Sequence, residues 1–424
     1  MVLIIVFILS LDFVHCQQRL TVTNYLESRL ALDALKQSKN ENMIVSTLPV
    51  RFSLCKLASV AKDDAKTELL SALGYKSDFM IKTCYTGIKE VLDFLKWSDL
   101  LMFNKIYVNY TDDIETKFIA NSSSVYGVQV DRVGFNTPSS AISFINRWIE
   151  KATYSRIREI LDYGDINQST RMILISVAHF KATWEFPFDV RMTVDKIFHY
   201  QNKSTTKTPM MMKHNEFLYY DDKLNNLRVR DERAHSPPDV KRLLEPIDIY
   251  NVLTITLGSF GTYITYIMPD DQKGLPGLLE KLAKESNFVK NIKKMMTRTR
   301  MRIGLPRMKI KTTIDWIKPL RQLGVNQIFN ETTLNFESIL KSNSKIKNMF
   351  VNKVKQKLFL ELDEMGVSRH RSPLDPEMMS QDRVMLGPGI NVLEFILDRP
   401  FYFMVTLSLE NVQHDLFNGV FYGP

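Results

Sequence analysis

The first third of the chain repeats apolar residues at helical spacing. Leucines between residues 26 and 35 fall on one helix face, and the same period runs through 51–74, where Gly74 can cap a helix C-terminus. Residues 139–151 repeat the pattern directly after Pro138, a residue type that favours the first turn of a helix. These segments therefore predict amphipathic helices that share a core.

Several later segments have the pattern of strands. Residues 100–110 are rich in β-branched and aromatic side chains, and residues 172–181, MILISVAHFK, are nearly all apolar. An uninterrupted apolar strand is typical of a sheet that is covered on both faces. Residues 252–257 and 261–268 flank Gly258, which predicts a β-hairpin.

The C-terminal third combines both patterns. Helices are predicted at 274–285 and 315–323, and strands near 301–311. Residues 358–366, LFLELDEMG, alternate with a period of two, and a long polar segment separates them from a second apolar strand at 392–405. Helices that come first and strands that come later predict one α+β domain, and 424 residues suffice for a large core.

The N-terminus has the pattern of a signal peptide. Residues 2–11 are apolar but too few to span a bilayer, and Val14 and Cys16 are small enough to permit cleavage after Cys16. A buried N-terminal strand is the alternative, because no Lys or Arg precedes the apolar run. We predict a signal peptide at 1–16, a single mature domain at 17–424, and a secreted, extracellular protein.

Five N-x-[ST] sequons agree with secretion. They begin at Asn109, Asn121, Asn167, Asn202 and Asn330. A single sequon arises easily by chance, but five sequons in a chain with an apolar N-terminus favour the use of some of them. We therefore predict a glycoprotein.

Two cysteines remain if Cys16 leaves with the signal peptide. Cys55 and Cys84 can form one disulfide in an oxidising compartment. Both lie in segments of helical periodicity whose separation defines no geometry, so we favour two buried free thiols and keep the disulfide as the alternative. The sequence contains no C-x-x-C and no Cys/His cluster, so we expect no metal site.

Positive charge is concentrated in one run. The formal net charge is +9, and residues 290–311 contain nine Lys or Arg and no acid. The run can bind a polyanion such as a heparin-like glycan, or it can be a solvated strand face, because Arg298, Arg300 and Arg302 alternate with other side chains. A charged stretch at 224–243 contains a Pro-Pro pair and predicts a surface insertion.

Missing motifs argue against several classes of function. G-x-S-x-G, Walker A, G-x-G-x-x-G and HExxH do not occur, so we predict no enzyme and no cofactor. His179 lies in an apolar strand, where a core histidine is the expected role. The sequence has no nucleic-acid-binding motif and no further apolar run long enough to span a bilayer, so we expect neither nucleic acid nor a membrane as partner.

Motifs along nearly the whole mature chain resemble those of the serpin family. They are, in family order, NMIVS at 42–46, FINRWIE at 144–150 with 157–161, FKATW at 180–184 with Pro187-Phe188, TPMM at 208–211, IMP at 267–269, LPRMKI at 305–310, 350–366, and DRPF at 398–401. LPRMKI and DRPF are the most specific. The resemblance implies the serpin fold, an α+β architecture with three β-sheets, about nine helices and an exposed reactive-centre loop, here 367–391.

The resemblance also implies a mechanism. In inhibitory serpins, a protease that cuts the loop is held as an acyl-enzyme while the cut loop inserts as an extra central strand of the large sheet. The matching hinge here contains Glu364 and Gly366, and Trp184 lies in the matching breach, where the loop would first enter the sheet. At the buried strand centre, called the shutter, Ser176 and Gln356 stand where the family has Asn and His.

The loop departs from the inhibitory pattern, because inhibitors carry small residues after the hinge glycine. Strand alternation from that glycine would turn five side chains into the core on insertion. They are Val367, Arg369, Arg371, Pro373 and Asp375. Burying an unpaired guanidinium costs several kcal/mol, and proline lacks the N–H that a central strand donates. These residues therefore oppose insertion.

Two functions follow. The hinge favours a secreted serpin-fold protein without loop-insertion inhibition, which acts as a binding, carrier or protease-decoy protein in a body or reproductive fluid. The alternative is an inhibitor of trypsin-like or chymotrypsin-like serine proteases. Its scissile bond would lie among Met379, Ser380, Gln381, Arg383 and Val384. As partner we expect an extracellular serine protease, and we expect a monomer.

Overall fold

The computed structural model describes residues 29–75, 81–95, 100–181, 183–222, 250–258, 261–269, 274–364, 392–409 and 412–424. The predicted signal peptide, the 224–243 insertion and the 367–391 loop lie outside these residues. Internal contacts group the chain into two units. The first comprises Met1–Ala31, Ser46–Phe180 and Lys311–Phe359, and the second Leu32–Val45, Lys181–Ile310 and Leu360–Pro424.

The described residues contain nine helices, most of them where the apolar spacing predicts them. They are 29–35 (α1), Thr47–Ala58 (α2), Asp63–Ala72 (α3), Ile81–Leu95 (α4), Thr116–Tyr126 (α5), Pro138–Ala152 (α6), Gly274–Lys284 (α7), Phe288–Met295 (α8) and Ile317–Gln322 (α9). Helix α6 begins at Pro138, and α5 ends at Tyr126, where Gly127 caps the last turn with a left-handed φ of 63°. None of these helices is long and apolar enough to cross a membrane.

Fourteen strands are present in the same residues. They are Met43–Val45 (β1), Leu100–Asn109 (β2), Val128–Val133 (β3), Met172–Lys181 (β4), Val194–His199 (β5), Thr205–Asp221 (β6), Tyr250–Thr256 (β7), Thr262–Pro269 (β8), Thr297–Pro306 (β9), Met308–Asp315 (β10), Val351–Leu362 (β11), Glu394–Ile396 (β12), Phe401–Leu409 (β13) and Val412–Phe421 (β14). The predicted hairpin is confirmed, because β7 pairs antiparallel with β8. This mixture of helices and strands is the α+β class that the sequence predicts.

Pairing among the described strands joins them into two sheets. A five-stranded sheet has the order β10-β11-β4-β2-β3, and a nine-stranded sheet has the order β1-β14-β13-β8-β7-β6-β9-β12, with β5 on β6. The expected third sheet is not separate, because the 17-residue strand β6 is continuous. Its first residues pair with β5, its middle with β9 and its last four residues with β7.

Strand β4 is covered on both faces, as its apolar run predicts. Ile173, Ile175 and Val177 pack with Ile145 and Ile149 of α6 in one buried cluster. The residues that alternate with them are also almost fully buried, including Leu174 and Ala178. Burial of both faces explains why nearly every position of this strand is apolar.

One helix prediction is wrong in detail, and one motif segment next to a helix is not helical. Residues 51–74 form two helices rather than one, because the Ser59 hydroxyl bonds the carbonyl of Lys56 and Asp63 takes a left-handed φ of 47°. Residues 157–161 are not helical, since α6 ends at Ala152 and Tyr154 and Ser155 also have positive φ angles. Side-chain bonding and backbone turns of this kind leave no trace in the apolar period.

The strand predicted at 392–405 is also interrupted. It forms β12 and β13, which are separated by residues 397–400. The two strands have different partners, since β12 runs parallel to β9 whereas β13 lies between β8 and β14. Pro400 stands directly before β13 and has no N–H to donate to a continuous ladder.

Cys55 and Cys84 form a disulfide, so the interpretation as free thiols is wrong. Cys55 of α2 and Cys84 of α4 have Cα atoms 6.5 Å apart and are joined as a disulfide. Both are almost fully buried. The two helices pack against each other in the first unit, a proximity that a separation of 29 residues does not reveal.

Candidate functional site: the anchor before the loop and the buried strand centre

Glu364 is the last described residue before the predicted loop, and it is anchored by several bonds within the second unit. Arg307 donates from Nη2 to Oε1 at 2.6 Å and from Nε to both carboxylate oxygens at 2.9 and 3.0 Å. The Thr193 hydroxyl donates to Oε1 at 2.6 Å, and the Phe188 N–H donates to the Glu364 carbonyl at 3.0 Å. Both the side chain and the backbone of Glu364 are therefore held.

The ionised form of Glu364 is the stable one. Only 3% of the residue is exposed. Burial acts to raise its pKa, but the hydrogen bonds from Arg307 and Thr193 outweigh burial and hold the pKa below its ordinary value. In turn, the bond to Glu364 raises the pKa of Arg307. The pair is a bidentate, charge-assisted contact that is largely shielded from water on the carboxylate side.

Trp184 fixes the residue next to this anchor. Its indole Nε1 donates to the carbonyl of Asp363 at 2.7 Å, and its ring meets Phe188 edge-on at 5.1 Å between centroids. Lys213 of β6 donates to the carbonyls of Phe186 and Pro187 at 3.1 and 2.9 Å. The segment that carries Trp184 is therefore bonded to β6 through Lys213, and Trp184 in turn bonds the residue that follows β11.

The buried strand centre in the first unit has a different chemistry. Gln356 of β11 is fully buried, and its Nε2 donates to the carbonyl of Ser46 at 2.7 Å, at the start of α2. Ser176 of β4 is also buried and lies opposite Asn104 of β2. No hydrogen bond joins Ser176 to Gln356 in the part of the chain described, and the Gln356 Oε1 has no hydrogen-bond partner there.

Polar contacts also connect β11 to the segment that leads into β4. Asn352 Oδ1 accepts from the N–H groups of Arg171 and Met172 at 2.7 and 3.3 Å. Lys355 forms an ion pair with Asp165, and Lys353 contacts the same carboxylate at 3.4 Å. Burial acts to raise the pKa of Asp165, but the lysine contacts outweigh it and lower that pKa.

Sequence reasoning missed several of these residues. Arg307 belongs to the LPRMKI motif, where a charged side chain between apolar neighbours was the available signal. Asn352, Lys355 and Asp165 had no signal, because their partners lie far away in the sequence. His179, expected as a core residue, is buried and stacks on Phe359 at 5.0 Å between ring centroids.

The loop residues remain predictions. Gly366, Val367, Arg369 and Arg371 of the hinge lie outside the described residues. So does the candidate scissile region, which comprises Met379, Ser380, Gln381, Arg383 and Val384. Among the described residues, no group of three or more His, Cys, Asp or Glu side chains is placed to hold a metal ion.

The five sequons differ in accessibility. Asn109 ends strand β2 with 2% of its surface exposed, which makes it the least accessible of the five in the folded protein. Asn121, Asn167 and Asn202 are exposed, and Asn330 is half-buried. A strand position can match the sequon by sequence alone, because the motif does not encode burial.

The comparisons with known proteins define the family. The family model described as "Serpin (serine protease inhibitor)" matches residues 25–230 and 247–424. The chain is 25% identical over 394 residues to Antitrypsin of Bombyx mori, covering 93% of this chain and 91% of that protein. It is 26% identical over 389 residues to Alaserpin of Manduca sexta, covering 91% and 89%. The chain therefore belongs to the serpin family.

Solved structures agree with this assignment at the level of the fold. The structure of native protease nexin-1 with heparin aligns with a TM-score of 0.77 at 19% identity, covering 95% of this chain and 99% of that one. Serpin48 of Tenebrio molitor aligns with a TM-score of 0.74 at 23% identity, covering 96% and 98%. The family description names serine protease inhibitors.

Proposed function

We propose that this serpin is secreted and does not inhibit proteases by loop insertion, and that it acts as a binding, carrier or protease-decoy protein. The observation that carries the proposal is the sequence directly after the anchored Glu364. Within twelve residues it contains Arg369, Arg371, Pro373 and Pro376. A loop that starts at a fixed point has little freedom to move these residues out of the inserting register.

Apolar surroundings support the proposal. An inserting strand would separate β11 from β4, which are neighbours in the five-stranded sheet. The fully buried side chains of these two strands include Leu174, Ala178, Val354 and Leu358. Insertion would place two guanidinium groups there, and Asp375 can pair with at most one of them. Desolvation of the unpaired guanidinium costs several kcal/mol.

The polar contacts of β11 add to the resistance. Separating β11 from β4 would strain the bonds from Asn352 to the N–H groups of Arg171 and Met172. Lys355 of the same strand forms an ion pair with Asp165, and both side chains are almost buried, so water replaces the pair poorly. A loop whose insertion is favourable can break these contacts of Asn352 and Lys355. The loop of this chain cannot, because burying its arginines and prolines already costs free energy.

The second candidate function is inhibition of a trypsin-like or chymotrypsin-like serine protease. The named relatives favour it, since Antitrypsin of Bombyx mori is an inhibitor by its name. The bond between Arg383 and Val384 is then the best trypsin-like cleavage site in the loop. The decoy role and inhibition share an extracellular serine protease as partner, and they differ in what happens after the protease cleaves the loop.

Thermal unfolding before and after cleavage separates the two functions. Limited trypsin digestion should cut the full mature chain first within 367–391, because this segment is polar and contains three arginines. Intact and cleaved protein should then melt at nearly the same temperature, and no complex with trypsin or chymotrypsin should survive boiling in detergent. A large rise in melting temperature after cleavage, or a covalent complex, would overturn the proposal.

A matched variant sharpens this test. Replacing residues 368–376 with small uncharged residues removes the charges and prolines while the anchor at Glu364 is kept. We expect this variant to gain thermal stability on cleavage, because the cut loop can then pair as a strand. If it does not, the polar contacts of β11 are themselves sufficient to block insertion.

The proposal has four further parts. We expect the protein to be secreted, glycosylated and monomeric, and to have a polyanion as partner. The exposed sequons at Asn121, Asn167 and Asn202 are the ones that we expect to carry glycans. Expression in secreting cells should yield a protein in the medium whose gel mobility increases after glycosidase treatment. The structural neighbour solved with heparin supports a heparin-like polyanion as partner of this chain.

A further inference from the structure

Tyr163 is the most exposed large apolar or aromatic side chain in the part of the chain that the structure describes. Its exposed fraction is 91%, compared with 61% for Tyr154 and 56% for Tyr110. Tyrosine usually buries most of its ring and keeps only the hydroxyl in water. Nearly the whole side chain of Tyr163, including its phenolic oxygen, is instead accessible to another macromolecule.

A tight turn holds Tyr163 in this position. The Asp165 N–H donates to the Asp162 carbonyl at 3.1 Å, and the Asp162 N–H donates to the Asp165 carboxylate at 2.8 Å. Gly164, the third residue of the turn, has a left-handed φ of 96°, which glycine adopts without strain. Asp165 also pairs with Lys355 of β11, which fixes the turn to the five-stranded sheet. Tyr163 is therefore presented from a fixed turn in the first unit.

The chain around Tyr163 is acidic. Residues 159–166 contain three acids and no Lys or Arg. Glu159 is exposed, and the side chain of Asp162, directly before the tyrosine, is 76% exposed. Asp162 lies 3.8 Å from Lys355, whose closer ion pair is with Asp165. Two carboxylates beside the phenol are therefore accessible to a partner that presents basic groups.

The surroundings of the phenolic oxygen tolerate a negative charge. The Tyr163 hydroxyl lies 3.3 Å from the hydroxyl of Ser139, the second residue of α6. The first turn of α6 contains no acidic side chain, and the start of a helix carries partial positive charge. An anionic group attached to this oxygen therefore meets no carboxylate from the helix.

We propose that Tyr163 is the acceptor for tyrosine sulfation by a sulfotransferase of the secretory pathway. The inference rests on the proposed secretion of the protein, but not on the behaviour of the loop or on a polyanion partner. An enzyme that binds an anionic sulfate donor needs basic groups at its active site, and acids beside the acceptor are attracted to such groups. An accessible phenol that is flanked by exposed carboxylates meets both requirements.

The proposed reaction transfers one sulfuryl group. The phenolic oxygen of Tyr163 bonds to the sulfur of a nucleoside phosphosulfate, while the bond between that sulfur and the bridging oxygen of the donor breaks. The donor leaves as a nucleoside phosphate with the bonding electrons, and the phenolic proton passes to a base of the sulfotransferase. The product is an aryl sulfate ester, which is negatively charged where the phenol was neutral.

The intact mass of the secreted protein measures this modification. The full chain, expressed in secreting cells and freed of N-glycans, should show a component that is heavier by one sulfuryl group. Tyr163→Phe should remove that component. Tyr154→Phe is the matched control and should retain it, because Tyr154 is also exposed but has the basic sequence neighbours Lys151 and Arg156.

Charge variants test the role of the acidic residues. Glu159→Gln with Asp162→Asn preserves the turn, which uses only the backbone of Asp162, and should lower the modified fraction at least about threefold. Asp195→Asn with Glu285→Gln removes the same charge at exposed positions elsewhere and should leave the fraction unchanged. Circular dichroism establishes that both double variants are folded. Equal modified fractions in the two would contradict recognition through the acids beside Tyr163.

The chemistry of the added group needs its own test. A sulfate ester should resist phosphatase and should not form in cells grown with chlorate, which blocks synthesis of the activated sulfate donor. Removal of the added mass by phosphatase would identify a phosphate and overturn the proposal. A secreted protein without added mass on Tyr163 would overturn it as well, although the proposed secretion would then stand.

Failure of secretion is distinguishable from failure of this inference. If the chain stays inside the cells, the proposed secretion is wrong. Purified protein is then incubated with a tyrosine sulfotransferase and a labelled nucleoside phosphosulfate. Label in the natural protein but not in Tyr163→Phe would support the acceptor assignment, whereas no label, or equal label in both, would refute it.

Discussion

Glu364 and Gln356 lie eight residues apart in the chain, and both side chains are buried, yet they are held in different ways. Glu364 is ionised and accepts four side-chain hydrogen bonds, three of them from Arg307. Gln356 is neutral and donates one bond to the Ser46 carbonyl, while its Oε1 is without a hydrogen-bond partner in the described residues. Glu364 therefore has several charge-assisted hydrogen bonds, whereas Gln356 has a single neutral one.

The difference indicates where the structure resists change. A buried charge with a bidentate partner loses much of its stabilisation when either partner is removed, because the remaining charge stays desolvated. A buried amide with one bond and one unpaired oxygen contributes little net free energy. We therefore expect the end of β11 to be rigid, and the hydrogen bonding at its centre to tolerate substitution.

The largest effect should come from Arg307→Ala. It leaves the Glu364 carboxylate buried with only Thr193 as side-chain donor, so we expect the free energy of unfolding to fall by about 2–3 kcal/mol. Chemical denaturation measures this difference. Arg302→Ala is the matched control, because its pair with Glu394 has both side chains nearly half exposed and should contribute under about 1 kcal/mol. Equal losses in the two variants would contradict the importance of burial.

An intermediate effect should appear on acidification. The pKa of Glu364 is lowered in the folded protein, so its contribution is present above the ordinary value of 4.5 and is lost as the pH falls through the folded value. Glu364→Gln should be less stable than the natural protein at neutral pH, and the difference should shrink below that value. Asp165 has a lowered pKa as well, so some acid sensitivity should persist in the variant. A pH-independent difference would rule out the ionised carboxylate as its source.

The smallest effect should come from Gln356→Leu. The leucine fills a similar volume and removes an unpaired oxygen, so we expect the free energy of unfolding to change by no more than about 1 kcal/mol. Gln356→Ala removes the same bond but leaves a cavity and should cost about 1–2 kcal/mol more. If Gln356→Leu destabilises as much as Arg307→Ala, then the bond to Ser46 holds the strand centre more strongly than its geometry indicates.

Much of the fold is readable from the sequence where the local pattern is strong. The boundaries of β4 coincide with its apolar run, and α6 begins at the proline that predicts it. The family follows from motifs such as LPRMKI and DRPF. Predictions fail at 51–74 and at 392–405, where side-chain hydrogen bonds, left-handed residues and a proline interrupt a pattern that is otherwise continuous.

The candidate site, too, could be predicted from the sequence only in part. Glu364, Trp184, Ser176 and Gln356 were all identified from the sequence, but their partners were not. Arg307 is 57 residues from Glu364 and Ser46 is 310 residues from Gln356. Contacts over such separations depend on strand register and helix packing, which a single sequence does not contain.

The sequence by itself determined the apolar and polar faces of each element, the serpin motifs and the charged, proline-containing loop, because these depend on residue identity and short-range spacing. Only the tertiary structure decided that Cys55 and Cys84 pair, that Asn109 is buried, and that four of the nine cations in the basic run have exposed side chains without a hydrogen bond, ion pair or ring contact to any described residue. The physical reason is that burial and pairing are properties of two or more distant segments. They exist only once the sheets have set the distances between those segments.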